Sequence, residues 1–277
     1  MDVITVPSPD CYFREPGESW QQYSERRFEL MEATLARYAN EVCAVIVEPL
    51  VQCAGGMRMY APIYLERLRA ACDRYQVHLI ADEIAVGFGR TGTLFACEQA
   101  SIRPDFMCLS KGLTGGYLPL AAVLTTDAVY QAFYDDYNKL TAFLHSHSYT
   151  GNTLACRAAL ATLELFAQTD VIQQNRSLAL TMREVVKRFE QHPNIAEVRQ
   201  TGLIVALELV KNKHTKEPFP WQERRGVKIY RYALSQGVLI RPLGNIIYFM
   251  PPYVINAAEL EFLADVTWRS IEHALTD

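Results

Sequence analysis

The apolar residues of the chain alternate between helical spacing and short continuous runs. Continuous runs over 42–47 and 77–81 predict two buried strands. Between them, the apolar positions of 62–75 repeat with the spacing of a helix that has one buried face, and Pro62 suits its first turn. Strand, helix and strand in this succession predict a βαβ unit, in which the two strands are parallel.

The same patterns predict the remaining elements of the chain. The predicted helices cover residues 20–38, 127–134, 153–167, 171–190, 224–236 and 257–274. The predicted strands cover residues 106–109, 119–124, 203–210, 238–241 and 246–250. Because the pattern changes near residue 170, we expect an α/β domain over 1–169 with a mainly parallel sheet, and a smaller α+β domain over 170–277.

The composition is that of an ordinary folded protein. The chain has 277 residues, half of them hydrophobic, and a net charge of −4 without a block of like charge, so nothing favours nucleic acid or a membrane as a partner. Its seven cysteines form no C-x-x-C pair, which predicts reduced thiols. Residues 1–7 lack the features of a signal peptide, and no apolar run reaches about 18 residues. We therefore expect a cytoplasmic protein.

Two polar residues follow neighbouring predicted strands of the first domain. Asp82 comes directly after the run that ends at residue 81, and Lys111 comes shortly after the run over 106–109. Ligands of open α/β sheets bind outside the carboxyl ends of the strands. A lysine that forms a Schiff base and an acid that keeps a pyridinium nitrogen protonated are what pyridoxal phosphate (PLP) requires. The alternative is that Asp82 is only a turn cap and Lys111 only a solvated lysine.

Further candidates have weaker signals of their own. Ile84 lies two residues beyond Asp82 and could pack on the pyridine ring, or could simply be core. Residues 145–152 precede a helix, and their N–H groups and hydroxyls suit a phosphate, although Asn152 is also a good N-cap. Arg241 suits a carboxylate, or a surface ion pair. The histidines lack a third ligand at metal spacing, so we expect no metal site.

Four segments together resemble the class III aminotransferases of PLP fold type I. They are residues 49–60, 81–92, 110–116 and 241–253, and the resemblance runs over nearly the whole chain. Within the family, the strings Gly-Gly-Met-Arg-Met-Tyr and Met-Pro-Pro-Tyr are similar to those of the biotin-pathway members. The resemblance implies an α/β fold, with part of the large PLP-binding domain followed by a C-terminal α+β domain.

The resemblance also implies roles for single residues. Lys111 matches the lysine that binds PLP as a Schiff base, Asp82 matches the partner of the ring nitrogen, and Ile84 matches a residue on the ring face. His147 and Ser148 match the pair that reaches the cofactor phosphate from the neighbouring subunit. The expected protein is therefore a homodimer with shared sites.

The substrate residues implied by the resemblance are Arg241, Tyr248 and Ser146. Arg241 matches the arginine that binds the carboxylate of 8-amino-7-oxononanoate, the expected amino acceptor. Tyr248 stands where relatives that use glutamate have an arginine, which argues against glutamate as the donor. Ser146 stands where the family usually has glycine. S-adenosylmethionine or lysine is the expected donor, and an ω-amino acid:pyruvate aminotransferase is the alternative.

The resemblance begins partway through the large domain of the family. The family's N-terminal region carries a phosphate loop and several aromatic residues of the substrate pocket, and residues 1–40 do not replace them. We therefore expect residues 1–277 alone to fold poorly or to have weak activity, as one part of a larger or split enzyme. A remnant without catalysis is the alternative from a different functional class.

Overall fold

The computed structural model describes residues 2–276. Its helices are α1 (Trp20–Tyr38), α2 (Ile63–Tyr75), α3 (Asp127–Gln131), α4 (Thr153–Gln168), α5 (Val171–Val186), α6 (Arg225–Ser235) and α7 (Ala257–Thr276). Its strands are β1 (Ala44–Val47), β2 (Val51–Gln52), β3 (Arg58–Met59), β4 (His78–Asp82), β5 (Phe106–Leu109), β6 (Ala122–Thr125), β7 (Ile195–Thr201), β8 (Ile204–Asn212), β9 (Glu217–Pro218), β10 (Arg241–Leu243) and β11 (Ile246–Phe249).

The chain forms two compact units. The first contains the residues up to Leu50 together with Tyr60–Gly89 and Thr93–Val171. The second contains Val51–Met59, Arg90–Gly92 and the residues from Ile172 onward. The division into domains 1–169 and 170–277 stays a prediction.

A four-stranded sheet forms the centre of the first unit, in the order β1-β4-β5-β6. Strands β1, β4 and β5 are parallel, and β6 runs antiparallel to β5. Helix α2 connects β1 to β4, so the predicted βαβ unit is confirmed. Because β4 and β5 are parallel neighbours, the segments that follow them begin at the same edge of the sheet.

The second unit is built on an antiparallel sheet in the order β10-β11-β8-β7, with β9 paired to β8. The first four residues of β8, from Ile204 to Leu207, are all apolar and buried. Its inward side chains form one core with apolar residues of α5, α6 and α7. This core is what the apolar spacing of the three helices predicts.

One predicted strand of the second unit needs correction, and one long strand there was not predicted. The segment 238–241 is not a strand up to residue 240, because the Val238 N–H donates to the Ala233 carbonyl (3.0 Å) and thereby terminates α6. The strand begins at Arg241. Strand β7 was not predicted, because its polar residues interrupt the apolar pattern that indicates a strand.

The polar residue Arg199 of β7 is almost completely buried. Its Nε donates to the Met57 carbonyl (2.8 Å) and its Nη2 to the Gly56 carbonyl (2.9 Å). Its Nη1 donates to the Glu208 carboxylate (2.7 Å), which offsets the charge. Arg199 thus fastens the β2–β3 turn to the sheet of the second unit.

A second buried polar side chain, His192, has both ring nitrogens engaged. Its Nδ1 accepts from the Asn194 N–H (3.0 Å), so Nε2 carries the proton and donates to the Glu272 carboxylate (2.9 Å). Burial lowers the pKa of His192 below its ordinary value of 6.5, although Glu272 opposes the shift. Protonation of Nδ1 would also remove the bond from Asn194.

We expect His192 to make the protein less stable in acid. As the pH falls through 6.5, the unfolded chain binds a proton at this residue before the folded chain does, and the free energy of unfolding decreases. The variant His192→Gln keeps a donor toward Glu272 and does not titrate. Melting temperatures of both proteins at about pH 7.5 and about pH 5.5 would test this. An equal loss in both would show that other groups cause the acid sensitivity.

Candidate functional site

Asp82 and Lys111 lie at the same edge of the sheet in the first unit. Asp82 is the last residue of β4 and pairs with Cys108 of the parallel strand β5. Lys111 follows the end of β5 after Ser110 alone. The two side chains that the sequence singled out are therefore held at the carboxyl ends of adjacent parallel strands, where open α/β sheets bind ligands.

The turn after Asp82 is held by its neighbour Glu83. The Asp82 Oδ1 accepts from the Ile84 N–H (3.1 Å), and Asp82 and Ile84 both remain half-buried. Glu83 is fully buried and accepts from the N–H groups of Ala96 (2.9 Å) and Cys97 (2.8 Å). Burial raises the pKa of the Glu83 carboxyl, while these two hydrogen bonds oppose the shift. Glu83 thus anchors the turn through its buried carboxylate, while the Asp82 carboxylate remains at the sheet edge.

Replacing Glu83 with alanine is expected to lower the free energy of unfolding by about 1–3 kcal/mol, because two buried N–H groups lose their acceptor. Urea unfolding of the variant would measure this loss. The matched control is Glu98→Ala, since the exposed Glu98 also accepts a backbone N–H, from Phe95 (3.1 Å). Equal losses in the two variants would mean that the burial of Glu83 has no importance.

The backbone of Lys111 has a left-handed conformation, with φ of 42°. Residues other than glycine adopt it at a cost of about 1–2 kcal/mol. The loop that holds it is anchored by two hydroxyls, from Ser110 to the Leu120 carbonyl (2.7 Å) and from Thr114 to the Leu118 carbonyl (2.6 Å). The Lys111 side chain is exposed. Strained backbone held in place by its surroundings occurs preferentially at functional sites, so this feature supports Lys111 as a candidate.

The candidates for phosphate and substrate contacts in 146–148 lie outside any helix or strand. Ser146, His147 and Ser148 are all exposed. The His147 N–H donates to the Thr150 hydroxyl (3.1 Å), and the turn leads into α4, which Asn152 caps by accepting from the Ala155 N–H (3.0 Å). Asn152 is therefore the helix cap, and the residues before it still form an accessible polar turn.

The two remaining candidates, Arg241 and Tyr248, belong to the second unit. They are directly opposite each other in the antiparallel pair of β10 and β11. Opposed residues project on the same face of a sheet, so the guanidinium and the phenol are neighbours. Arg241 is exposed and Tyr248 half-buried. This pair could bind a carboxylate through Arg241 beside an aromatic wall.

Residues 2–276 contain neither a cluster of metal ligands nor a helix that could cross a membrane. No three His, Cys, Asp or Glu side chains lie together in a way that could hold a metal ion. No helix within the same range is both long and apolar enough to cross a membrane. All seven cysteines are free thiols, of which Cys43 and Cys156 are exposed.

Sequence reasoning missed Glu83 as the anchor of the turn, and it missed that Phe88 lies against Gly112, where an added Cβ would be 2.9 Å from the Phe88 side chain. The sequence contained a signal for Glu83. Successive side chains of an extended segment point to opposite sides, so Glu83 must point into the core if Asp82 points to the site. No signal indicated that Phe88 and Gly112 would touch, since the contact joins turns that are distant along the chain.

Comparison with known proteins relates the chain to one family of enzymes. The family model for class III aminotransferases matches residues 1–274. A relative from Geobacter sulfurreducens, adenosylmethionine-8-amino-7-oxononanoate aminotransferase, is 43% identical over 99% of this chain and 60% of its own length. The protein of the same name from Aquifex aeolicus is 41% identical over 95% of this chain and 58% of its own. The chain thus spans about 60% of the length of these relatives.

Solved structures with the same architecture include two kinds of aminotransferase. The adenosylmethionine-8-amino-7-oxononanoate aminotransferase of Methanocaldococcus jannaschii has a TM-score of 0.86 and 38% identity, over 89% of this chain and 57% of that one. The omega transaminase of Pseudomonas jessenii has a TM-score of 0.90 and 30% identity, over 98% of this chain and 60% of that one.

Proposed function

Because the chain belongs to the class III aminotransferase family, we propose that it takes part in PLP-dependent transamination of 8-amino-7-oxononanoate to 7,8-diaminononanoate. The observation that supports the reaction is the position of Asp82 and Lys111 at the carboxyl ends of adjacent parallel strands. The observation that supports the substrate is the name shared by relatives that are about 40% identical over most of the chain.

The residues at the sheet edge fit PLP by their chemistry. Lys111 offers an exposed amine, and Asp82 offers a half-buried carboxylate whose Oδ1 accepts a short-range bond from the Ile84 N–H. Lys111 Nζ would hold the aldehyde carbon, Asp82 would hold the ring nitrogen, and Ile84 would pack on the ring. When bound, PLP supplies a ring that accepts electrons as a bond to the substrate carbon breaks.

The residues of the chain carry out the remaining tasks. The Asp82 carboxylate keeps a proton on the ring nitrogen through a charge-assisted hydrogen bond. The Lys111 amine moves a proton to or from the substrate carbon as a general acid and base. Arg241 binds the carboxylate of the acceptor, beside Tyr248, and Ser146 contacts the substrate. S-adenosylmethionine or lysine is the proposed amino donor.

We also propose that the active form is a cytoplasmic homodimer. His147 and Ser148 are exposed on a polar turn in the single chain. In the proposed dimer they reach the phosphate of the cofactor that the partner chain holds. This arrangement would give the exposed turn a binding function.

A second candidate is the transamination of ω-amino acids with pyruvate. The TM-score of 0.90 to the omega transaminase of Pseudomonas jessenii favours it. The sequence identity favours the biotin-pathway reaction, because it is 30% to that protein and 43% to the relative from Geobacter sulfurreducens.

Two measurements test the proposal in sequence. The protein is first incubated with PLP and reduced with borohydride, and the modified peptide is identified by mass spectrometry. We expect the adduct on Lys111, and its absence from protein that shows a cooperative melting transition would contradict the proposed cofactor site. Product formation is then measured with 8-amino-7-oxononanoate and either S-adenosylmethionine or lysine, and with β-alanine and pyruvate. An adduct without transfer in any pair would favour a remnant that binds the cofactor without catalysis.

A further inference from the structure

Gly112, the residue after Lys111, is glycine for a steric reason. A Cβ placed there would lie 2.9 Å from the Cβ and 2.9 Å from the Cδ2 of Phe88, closer than side chains can approach. The φ of Gly112 is not positive, so its backbone conformation does not itself require glycine. The absence of a side chain at 112 therefore makes room for the Phe88 side chain.

Phe88 itself has a left-handed backbone, with φ of 56°, although it is aromatic. Such residues are genuine outliers and persist only where the surroundings hold them in place. The ring is 3% exposed and packs edge-on against Phe95, with ring centroids 5.7 Å apart. It also belongs to the small apolar core with Leu109 and Leu113, which flank the Lys111 loop.

The turn that carries Phe88 is continuous with the turn after Asp82. The Gly87 N–H donates to the Glu83 carbonyl (2.9 Å), and the Gly89 N–H donates to the Leu94 carbonyl (3.2 Å). The first of these bonds ties the residue before Phe88 to Glu83, the anchored residue beside Asp82. The contact of Phe88 with Gly112 joins the turn of Asp82 directly to the loop of Lys111.

We propose that Phe88 is a positioning residue, which acts through Gly112 to fix the Lys111 backbone relative to the Asp82 carboxylate. The inference rests on the proposed function, because the distance between the two groups matters only if one ligand must reach both. The strand pairing does not extend to Lys111, which lies beyond the last paired residue of β5. The Phe88 side chain does reach its neighbour, Gly112. A displacement of about 1 Å in such a site can cost about a hundredfold in reaction rate.

The test compares Phe88→Ala with Phe166→Ala. Phe166 packs on the same small core, with its ring centroid 6.3 Å from that of Phe88, and is more exposed. For each variant and the unchanged protein, the PLP concentration that gives half-maximal borohydride-fixed labelling of Lys111 is measured, together with the melting temperature. We expect Phe88→Ala to raise this concentration about tenfold to a hundredfold. Phe166→Ala should lower the melting temperature without raising this concentration.

Two further variants keep the comparison decisive if Phe88→Ala does not fold. Phe88→Leu retains an apolar contact with Gly112 and should raise the labelling concentration less. Gly112→Ala displaces the loop from the other side and should raise it as well. If these variants label Lys111 like Phe166→Ala, Phe88 only stabilises the fold and the inference is wrong. If the unchanged protein is not labelled at Lys111, the proposed function itself fails, and the inference fails with it.

Discussion

Replacing Lys111 with alanine is expected to abolish covalent attachment of PLP and to lower transamination by about 10²–10⁴-fold through the loss of proton transfer alone. The side chain is exposed, and alanine keeps the same backbone conformation, so the free energy of unfolding should change by less than about 0.5 kcal/mol. Single-turnover kinetics and mass spectrometry after borohydride reduction would measure both losses.

The matched control for Lys111 is Lys139→Ala. Lys139 is exposed in the same unit, and its Nζ pairs with the Asp135 carboxylate (2.9 Å) on the surface. This variant should retain both the adduct and the rate. A small amine added to the Lys111→Ala protein should restore part of the rate, because the missing group is an amine. If Lys111→Ala still formed the borohydride-fixed adduct in full, another lysine would be the attachment site.

Replacing Asp82 with asparagine should lower the rate of transamination by about 10²–10³-fold, the usual effect of removing one group that stabilises developing charge. Asparagine keeps an oxygen that can accept the Ile84 N–H, so the turn after β4 should remain. The change therefore removes the negative charge and little else. Half-reaction rates with an amino donor, together with urea unfolding, would separate the loss of rate from any loss of stability.

The comparison for Asp82 is Asp82→Ala, which removes the charge and the turn acceptor together. We expect Asp82→Ala to lower the transamination rate by the same factor as Asp82→Asn and, in addition, to unfold at a lower urea concentration. A near-normal rate in Asp82→Asn would show that Asp82 serves only as a turn residue. That outcome would revive the alternative that the sequence left open for it.

The sequence predicted those parts of the fold in which apolar spacing determines the structure. Helix α1 has the predicted bounds, and the bounds of α2, β4 and β5 lie within one residue of the predicted ones. Each of these elements has an apolar face or run whose spacing indicates one type of secondary structure. Strand β7 could not be predicted in this way. Its buried Arg199 is compensated by Glu208 and by two carbonyls of the β2–β3 turn, and no local pattern reports partners so distant along the chain.

The candidate site was predictable to the extent that its residues follow strands. Asp82 and Lys111 were expected at one sheet edge from strand order, and the structure places them there. The contact between Phe88 and Gly112 was not predictable, because it depends on how two turns pack together. The roles of Ser146, His147, Ser148, Arg241 and Tyr248 stay predictions, since they depend on bound molecules and on a partner chain.

The left-handed backbone of Lys111 also bears on how this protein would change if selection for catalysis were lost. The amine would no longer be needed, but the loop would still require a residue that tolerates φ of 42°. Glycine meets that requirement best, and asparagine or aspartate next. Descendants without activity should therefore drift at this position toward those three residues, and away from alanine or β-branched residues. Glycine, asparagine or aspartate at position 111, directly after Ser110, would then mark a lineage that has kept the fold and lost the catalytic amine.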